Sequence, residues 1–184
     1  MKRLLILAAL ALVCLPLGLS AQTDAERIAR AVLGAPTRMQ DDVMVVKWNA
    51  DHSHTVIREG SNGMVCYDRS GEDGHPAFSV QCTSVANLAR VSQNRRFAAE
   101  AADRQANRAL VAAAAANGTR EAVEYGSVWI RLTGDSAETA SRHLTIAMPM
   151  ATTESSGFPE RGEGGGAFLM AAGTTEAHLM TPGR

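Results

Sequence analysis

The stretch Ile57-Arg58-Glu59-Gly60-Ser61-Asn62-Gly63-Met64-Val65-Cys66 (IREGSNGMVC) joins two runs of β-forming residues through a turn. Its Asn-Gly pair tolerates the positive φ angles that both central residues of a type I′ turn require. The pair therefore predicts a β-hairpin between a strand at 54–59 and a strand at 64–68. In this hairpin the side chain of Arg58 would lie opposite that of Tyr67.

Cys66 ends this stretch, and Cys82 follows it after a polar loop. We expect these two residues to form a structural disulfide, because exported proteins fold in an oxidising compartment. Closing the loop 66–82 would stabilise the fold by about 3 kcal/mol in the chain-entropy model. The alternative is a metal site or a redox-active thiol pair, but the chain has no Cys-x-x-Cys motif and only His75 lies inside the loop.

Residues 1–21 have the features of a signal peptide. A basic start precedes the apolar run 4–19, which is short for a membrane span of about 20 residues, and small residues follow it. We predict cleavage after Ala21, which places the mature chain in the bacterial periplasm or outside the cell with no stable membrane insertion. An uncleaved anchor and lipidation at Cys14 are the alternatives.

Residues 22–184 have the length of a single globular domain. Because Lys2 and Arg3 fall in the signal peptide, the remaining 16 basic and 19 acidic side chains leave a net charge near −3. This charge argues against a nucleic-acid partner. Aromatic residues make up 4% of the chain, so the core must rely on smaller aliphatic side chains, and a crosslink would help to stabilise it.

The order of the expected elements indicates an α+β fold. Strand patterns lie on both sides of one Ala/Arg-rich helical block, 84–116, which favours a mostly antiparallel sheet packed against that helix. The block is expected to form one long helix, or two with a break near Gln93-Asn94. Residues 151–166 are rich in Gly, Ser and Thr and are expected to form a flexible loop. Besides the strands above, we expect strands at 43–48, 77–81, 127–132, 143–150, 167–170 and 177–180.

A row of charged residues recurs every four positions along the helical block. Arg96, Glu100, Arg104 and Arg108 would share one helix face and form pairs such as Glu100 with Arg104. A solvated helix face explains this spacing. The alternative is a docking surface for an acidic partner.

No catalytic or cofactor motif is convincing in its context. The segment 162–167 fits G-x-G-x-x-A, but dinucleotide binding needs a strand before it and a helix after it. The sequence therefore predicts no catalytic residue and no cofactor. A copper site is the alternative, because imidazole and thioether ligands suit Cu(I). His52 and His54 would point to one side of an extended chain, as would His178 and Met180.

The pattern R-E-G-x-N-G-x-x-C at 58–66, the second cysteine and a late His-Leu-Met at 178–180 resemble a group of small exported bacterial proteins of unknown function. The resemblance covers mainly 57–82 and the C-terminal strand. It implies a stand-alone extracytoplasmic domain with the R-E-G-x-N-G hairpin as its signature, and it implies no activity. Arg58, Glu59 and His178 are the residues that folding explains least, so we treat them as a candidate polar cluster.

Two functions are open at this point. The first is an exported, non-enzymatic binding or interaction domain of unknown partner, using the loop 151–166 or the hairpin edge. The second is a metal-binding or hydrolytic protein, using His178 with Arg58 and Glu59, or the pair His52 and His54.

Overall fold

The computed structural model describes residues 22–182, which form one eight-stranded sheet with helices on both faces. The predicted signal peptide lies outside the described residues. The strands are β1 (Met44–Trp48), β2 (His54–Arg58), β3 (Met64–Asp68), β4 (Phe78–Ser84), β5 (Val128–Gly134), β6 (Ser141–Ala147), β7 (Phe168–Met170) and β8 (His178–Met180). The helices are α1 (Asp24–Ala31), α2 (Leu88–Glu100), α3 (Arg104–Ala116) and α4 (Thr153–Ser156). None of the helices within 22–182 is both long and apolar enough to cross a membrane.

The strand order in the sheet is β2-β1-β3-β4-β5-β6-β8-β7. The pair β1 and β3 is parallel, and the other neighbouring pairs are antiparallel. The predicted α+β class with a mostly antiparallel sheet is therefore confirmed.

The predicted disulfide between Cys66 and Cys82 is confirmed. The two residues lie directly opposite each other on the neighbouring strands β3 and β4, and both are buried. Ala31 at the end of α1 and the partly buried Ile28 belong to the same apolar cluster as the two cysteines. Thr23 caps the start of α1, because its side chain accepts a hydrogen bond from the Glu26 backbone nitrogen at 3.2 Å. We call this side of the sheet the disulfide face.

The predicted hairpin between β2 and β3 is wrong, because β1 lies between these two strands. Strand β2 pairs with β1 in antiparallel orientation, and the chain then passes the N-terminal end of β1 before β3 pairs with β1 in parallel. As a result, Arg58 lies opposite Val45, and Tyr67 lies opposite Gln81.

Backbone and amide hydrogen bonds hold the connection between β2 and β3 against the chain that leads into β1. The backbone nitrogens of Ser61 and Asn62 donate to the carbonyl oxygen of Asp42, at 2.8 and 3.3 Å. The Asn62 side chain donates to the Met39 carbonyl oxygen at 3.0 Å and accepts from the following backbone. Gly63 has a φ of 74°, so the Asn-Gly pair does turn the chain. The Asn-Gly pair therefore predicts the turn correctly, but it does not predict which strand pairs with β3.

The Ala/Arg-rich block forms two helices of 13 residues each, α2 and α3, rather than one long helix. The break lies at 101–103 instead of near Gln93-Asn94. Asp103 explains its position, because the aspartate side chain accepts a hydrogen bond from the Ala106 backbone nitrogen at 2.8 Å and caps α3. Glu100 and Arg104 therefore lie on different helices, and the charged row is not one continuous helix face.

The segment 151–166 contains the single turn α4, which Thr152 caps, and a short 3₁₀ turn at Glu163–Gly165. Within the segment, Phe158 packs against a small apolar cluster that includes the buried Leu169 of β7. These contacts attach the segment to the end of the sheet that carries β7 and β8. Its flexibility stays a prediction.

Candidate functional site

The structure does not bring the predicted cluster of Arg58, Glu59 and His178 together. Strand β2, which leads into Glu59, is the first strand of the sheet and β8 is the seventh, so about six spacings of 4.8 Å, or roughly 29 Å, separate them. The Arg58 guanidinium donates to the carbonyl oxygens of Gln40, at 2.6 Å, and Val43, at 2.7 and 3.1 Å. Arg58 thus holds the connection into β1, while Glu59 is exposed.

The pair His52 and His54 does not form a metal site with neighbouring side chains. His52 lies in the turn between β1 and β2 with a φ of 66°, and the His54 ring packs edge-on against Trp48, with 5.5 Å between ring centroids. Across the described residues, no group of three or more His, Cys, Asp or Glu side chains could hold a metal ion.

A cleft of about 270 Å³ opens on the other face of the sheet, between α2 and the strands β4, β5, β6 and β8. One row of directly opposite residues crosses it, formed by Gln81, Arg131 and His143. Trp129 and Thr145 form the next row. Since side chains alternate along a strand, these residues share one side while their neighbours face the core. The remaining polar lining comes from Arg90, Asn94, Thr175, Glu176 and His178.

Two buried arginines share one carboxylate at the edge of this cleft. Arg90 of α2 donates to Glu176 Oε1 at 2.5 Å, and Arg120 donates to both Glu176 oxygens at 3.0 and 3.3 Å. Burial raises the pKa of Glu176, but the hydrogen bonds and charges of the two arginines outweigh burial and hold that pKa below its ordinary value. The Glu176 carboxylate is therefore ionised at neutral pH and paired with both arginines.

A second group of the same composition includes Arg95, in the middle of α2. Arg95 donates to both Glu72 oxygens at 2.9 and 3.0 Å, and Arg69 donates to Glu72 Oε2 at 2.8 Å. Burial again raises the pKa of Glu72, and the hydrogen bonds from Arg95 and Arg69 again bring it below the ordinary value. Each group therefore contributes two positive charges and one negative charge.

Arg131 has no carboxylate partner of its own in the described part of the chain. Its side chain is exposed on β5, between Gln81 and His143. Burial lowers the pKa of His75, and the charge of Arg69 lowers it further, while the charges of Glu72 and Arg131 act in opposite directions. The arginine cluster, which we define as Arg69, Arg90, Arg95, Arg120 and Arg131, faces only two glutamates. This excess of positive charge contrasts with the formal net charge of −1 for the whole chain.

The side-chain amides of the cleft present hydrogen-bond donors. Gln81 Oε1 accepts from the buried Tyr67 hydroxyl at 2.9 Å, and Asn94 Oδ1 accepts from Arg120 at 2.6 Å. Because the oxygens are engaged in these bonds, each amide directs its NH₂ group elsewhere, and no hydrogen bond within 22–182 occupies either group. The cleft therefore combines a cation with neutral donors.

The titratable residues of the lining other than arginine are His143, His178 and Glu176. No serine or cysteine lines the cleft, and its one carboxylate, Glu176, is held ionised by two arginines. The disulfide lies on the opposite face of the sheet. The arrangement can bind and orient a negatively charged group.

Sequence reasoning missed Arg131, Gln81 and His143, which come from three different strands and are not neighbours in the chain. A signal was present in the strand sequence VWIRL, where Arg131 alternates with apolar residues and so marks a polar sheet face. Comparisons with models of protein families, with curated proteins and with solved structures give no match.

Acid should weaken the anchoring of the cleft wall by Glu176. Since the folded state lowers this pKa, the stabilisation is fully present above the ordinary glutamate pKa of about 4.3 and is lost as pH falls through the lower folded value. We expect the free energy of unfolding, measured with urea from pH 7 to pH 3, to fall less steeply below pH 4.5 in Glu176→Gln than in the unsubstituted protein. The exposed Glu59→Gln is the control and should keep the full slope. An unchanged slope in Glu176→Gln would contradict the assignment.

Proposed function

We propose that this chain is a non-enzymatic binding domain that holds a small organic anion in the cleft beside α2. The observation that carries the proposal is Arg131, a cation on a central strand that lies in the cleft without a carboxylate partner among the described residues. Guanidinium groups bind carboxylate and phosphate through two parallel hydrogen bonds, which gives both affinity and orientation.

The surroundings of Arg131 support an anion over other ligands. The arginine cluster carries three more positive charges than the glutamates that face it, and this excess attracts an anion. The free amide donors of Gln81 and Asn94 suit acceptor oxygens, and Trp129 offers an apolar surface beside them. A volume of about 270 Å³ suits a small molecule better than a protein segment.

Export of the mature chain is part of this proposal. The buried disulfide supports it, because such bonds form and persist in oxidising compartments. A mature protein recovered from the periplasm should begin at Gln22, and mass spectrometry of the intact protein tests this. A recovered mass that still includes residues 1–21 would contradict cleavage.

Substituting Arg131 should remove most of the affinity for anions. We expect citrate or inorganic phosphate to bind the unsubstituted protein in isothermal titration calorimetry, and Arg131→Gln to lower the affinity about 10- to 100-fold. This range corresponds to the loss of a charge-assisted hydrogen bond of about 1.5–3 kcal/mol. Added NaCl should weaken binding further, since salt screens the cluster.

Arg38→Gln is the matched control, because Arg38 is also exposed but lies in the segment before β1. It should bind both anions as the unsubstituted protein does. The proposal is overturned if neither probe binds at millimolar concentration, or if Arg131→Gln binds as tightly as the unsubstituted protein.

A further inference from the structure

A second set of side chains shares one face of the sheet where it ends in β8 and β7. Met170 of β7 lies directly opposite His178 of β8, and Met180 follows two residues later on the same strand. Directly opposite residues of antiparallel strands point to the same side, with Cβ atoms about 4.5–5.5 Å apart, and residues two apart on a strand are separated by about 7 Å. The three side chains therefore start from neighbouring positions on one surface.

The residues that alternate with these three side chains along β7 and β8 pack into the core. Leu169 and Leu179, which also lie opposite each other, point to the other side and are buried, with 0% and 9% of their surface exposed. The direction of Met170, His178 and Met180 is thus set by packing beneath them. Met170 itself is 42% exposed, so its side chain is accessible from solvent.

The orientation of the His178 ring leaves one nitrogen available. Its Nδ1 atom lies 2.7 Å from the Glu176 carbonyl oxygen. A carbonyl oxygen can only accept, so Nδ1 carries the proton and Nε2 keeps the lone pair when the ring is neutral. A backbone carbonyl bonded to one ring nitrogen is the common arrangement for a histidine that binds a metal through the other.

We infer that His178 Nε2 with the sulfur atoms of Met170 and Met180 forms a binding site for Cu(I). Thioether sulfur is a soft ligand that selects Cu(I), and imidazole suits copper as well. Methionine has three rotatable side-chain bonds, so the two sulfur atoms can converge on an ion beside the ring. The site holds no thiolate or carboxylate, which Zn²⁺ sites commonly use, so one histidine with two thioethers is a poor site for Zn²⁺.

The site goes beyond the proposed anion binding. His178 also lines the anion cleft, but Met170 and Met180 do not. Arg131 lies on β5, two strands from β8 in the sheet, or about 10 Å. Glu176, whose carbonyl oxygen orients His178, also neutralises part of the charge of Arg90 and Arg120. The two activities can therefore be separated by mutation.

A competition titration tests the site. The disulfide-bonded protein is titrated against a coloured Cu(I) chelator with ascorbate present, and we expect it to withdraw one equivalent of Cu(I). Met170→Leu and His178→Gln should each lower the affinity for Cu(I) at least tenfold. Met170→Leu preserves volume at an exposed position, so we expect it to fold normally by circular dichroism.

One control separates this site from the rest of the molecule. Met39→Leu, in the 3₁₀ turn Thr37–Met39 before β1, should bind Cu(I) as the unsubstituted protein does. The inference is overturned if the unsubstituted protein withdraws no Cu(I) from the chelator. It is equally overturned if Met170→Leu binds as tightly as the unsubstituted protein, even where His178→Gln does not.

Discussion

Gly60→Ala should destabilise the protein by about 3 kcal/mol or more, the largest effect that we expect from a single methyl group in this chain. A methyl group at this position would lie 2.1 Å from the Met44 backbone nitrogen and 2.5 Å from the Val43 carbonyl carbon. Both atoms belong to the backbone that enters β1, so no side-chain rotation can relieve the contact. The connection from β2 to β3 would have to move away from β1, and urea unfolding measures the cost.

Two neighbouring substitutions serve as controls for Gly60→Ala. Gly63→Ala meets nothing within 4 Å and should cost only the left-handed conformation at its φ of 74°, about 1–2 kcal/mol. Ser61→Ala keeps the backbone hydrogen bond to Asp42 and should be nearly neutral. The described crossing would be contradicted if Gly60→Ala were as stable as Ser61→Ala.

Removing the disulfide should have the second large effect. Replacing Cys66 and Cys82 together with alanine is expected to lower the free energy of unfolding by about 3–5 kcal/mol. The crosslink ties the neighbouring interior strands β3 and β4, and the vacated space beneath α1 adds a packing loss because both residues are buried. Chemical denaturation of the double variant measures the sum of the two contributions.

Reduction of the unsubstituted protein separates the crosslink from the packing. The reduced protein keeps both sulfur atoms at Cys66 and Cys82, so its loss of stability reports the crosslink alone and should be the smaller of the two. A stabilising role for the bond is refuted if reduced and oxidised protein unfold at the same urea concentration.

The sequence predicts the local structure of this chain better than it predicts which strands pair. Strand patterns, the Asn-Gly turn and the cysteine pair are local or compositional signals, and the structure has each of them. Which strand accepts β3 depends on contacts between distant residues, above all the close approach of Gly60 to Met44 and the hydrogen bonds of Arg58 to Gln40 and Val43. An R-E-G-x-N-G pattern suits a hairpin and a crossing equally well until these contacts are known.

The candidate site was harder to foresee than the fold. Arg131 is part of a candidate site because Gln81 and His143 lie on either side of it. Only the register of the sheet places these two residues there. The sequence pattern groups Arg58 with His178. In the structure the two residues lie near opposite edges of the sheet. A charged residue between apolar neighbours on a strand indicates a polar sheet face. The local sequence does not indicate which other residues lie on that face.

The most direct measurement of anion binding uses the two tryptophans of the chain. Trp129 lines the cleft, whereas the indole nitrogen of Trp48 is buried away from it. In a two-dimensional NMR titration with citrate, the Trp129 indole resonance should shift and saturate while the Trp48 resonance moves far less, and Arg131→Gln should suppress the shift. A Trp129 resonance that stays in place, or one that shifts equally in Arg131→Gln, would contradict anion binding in this cleft.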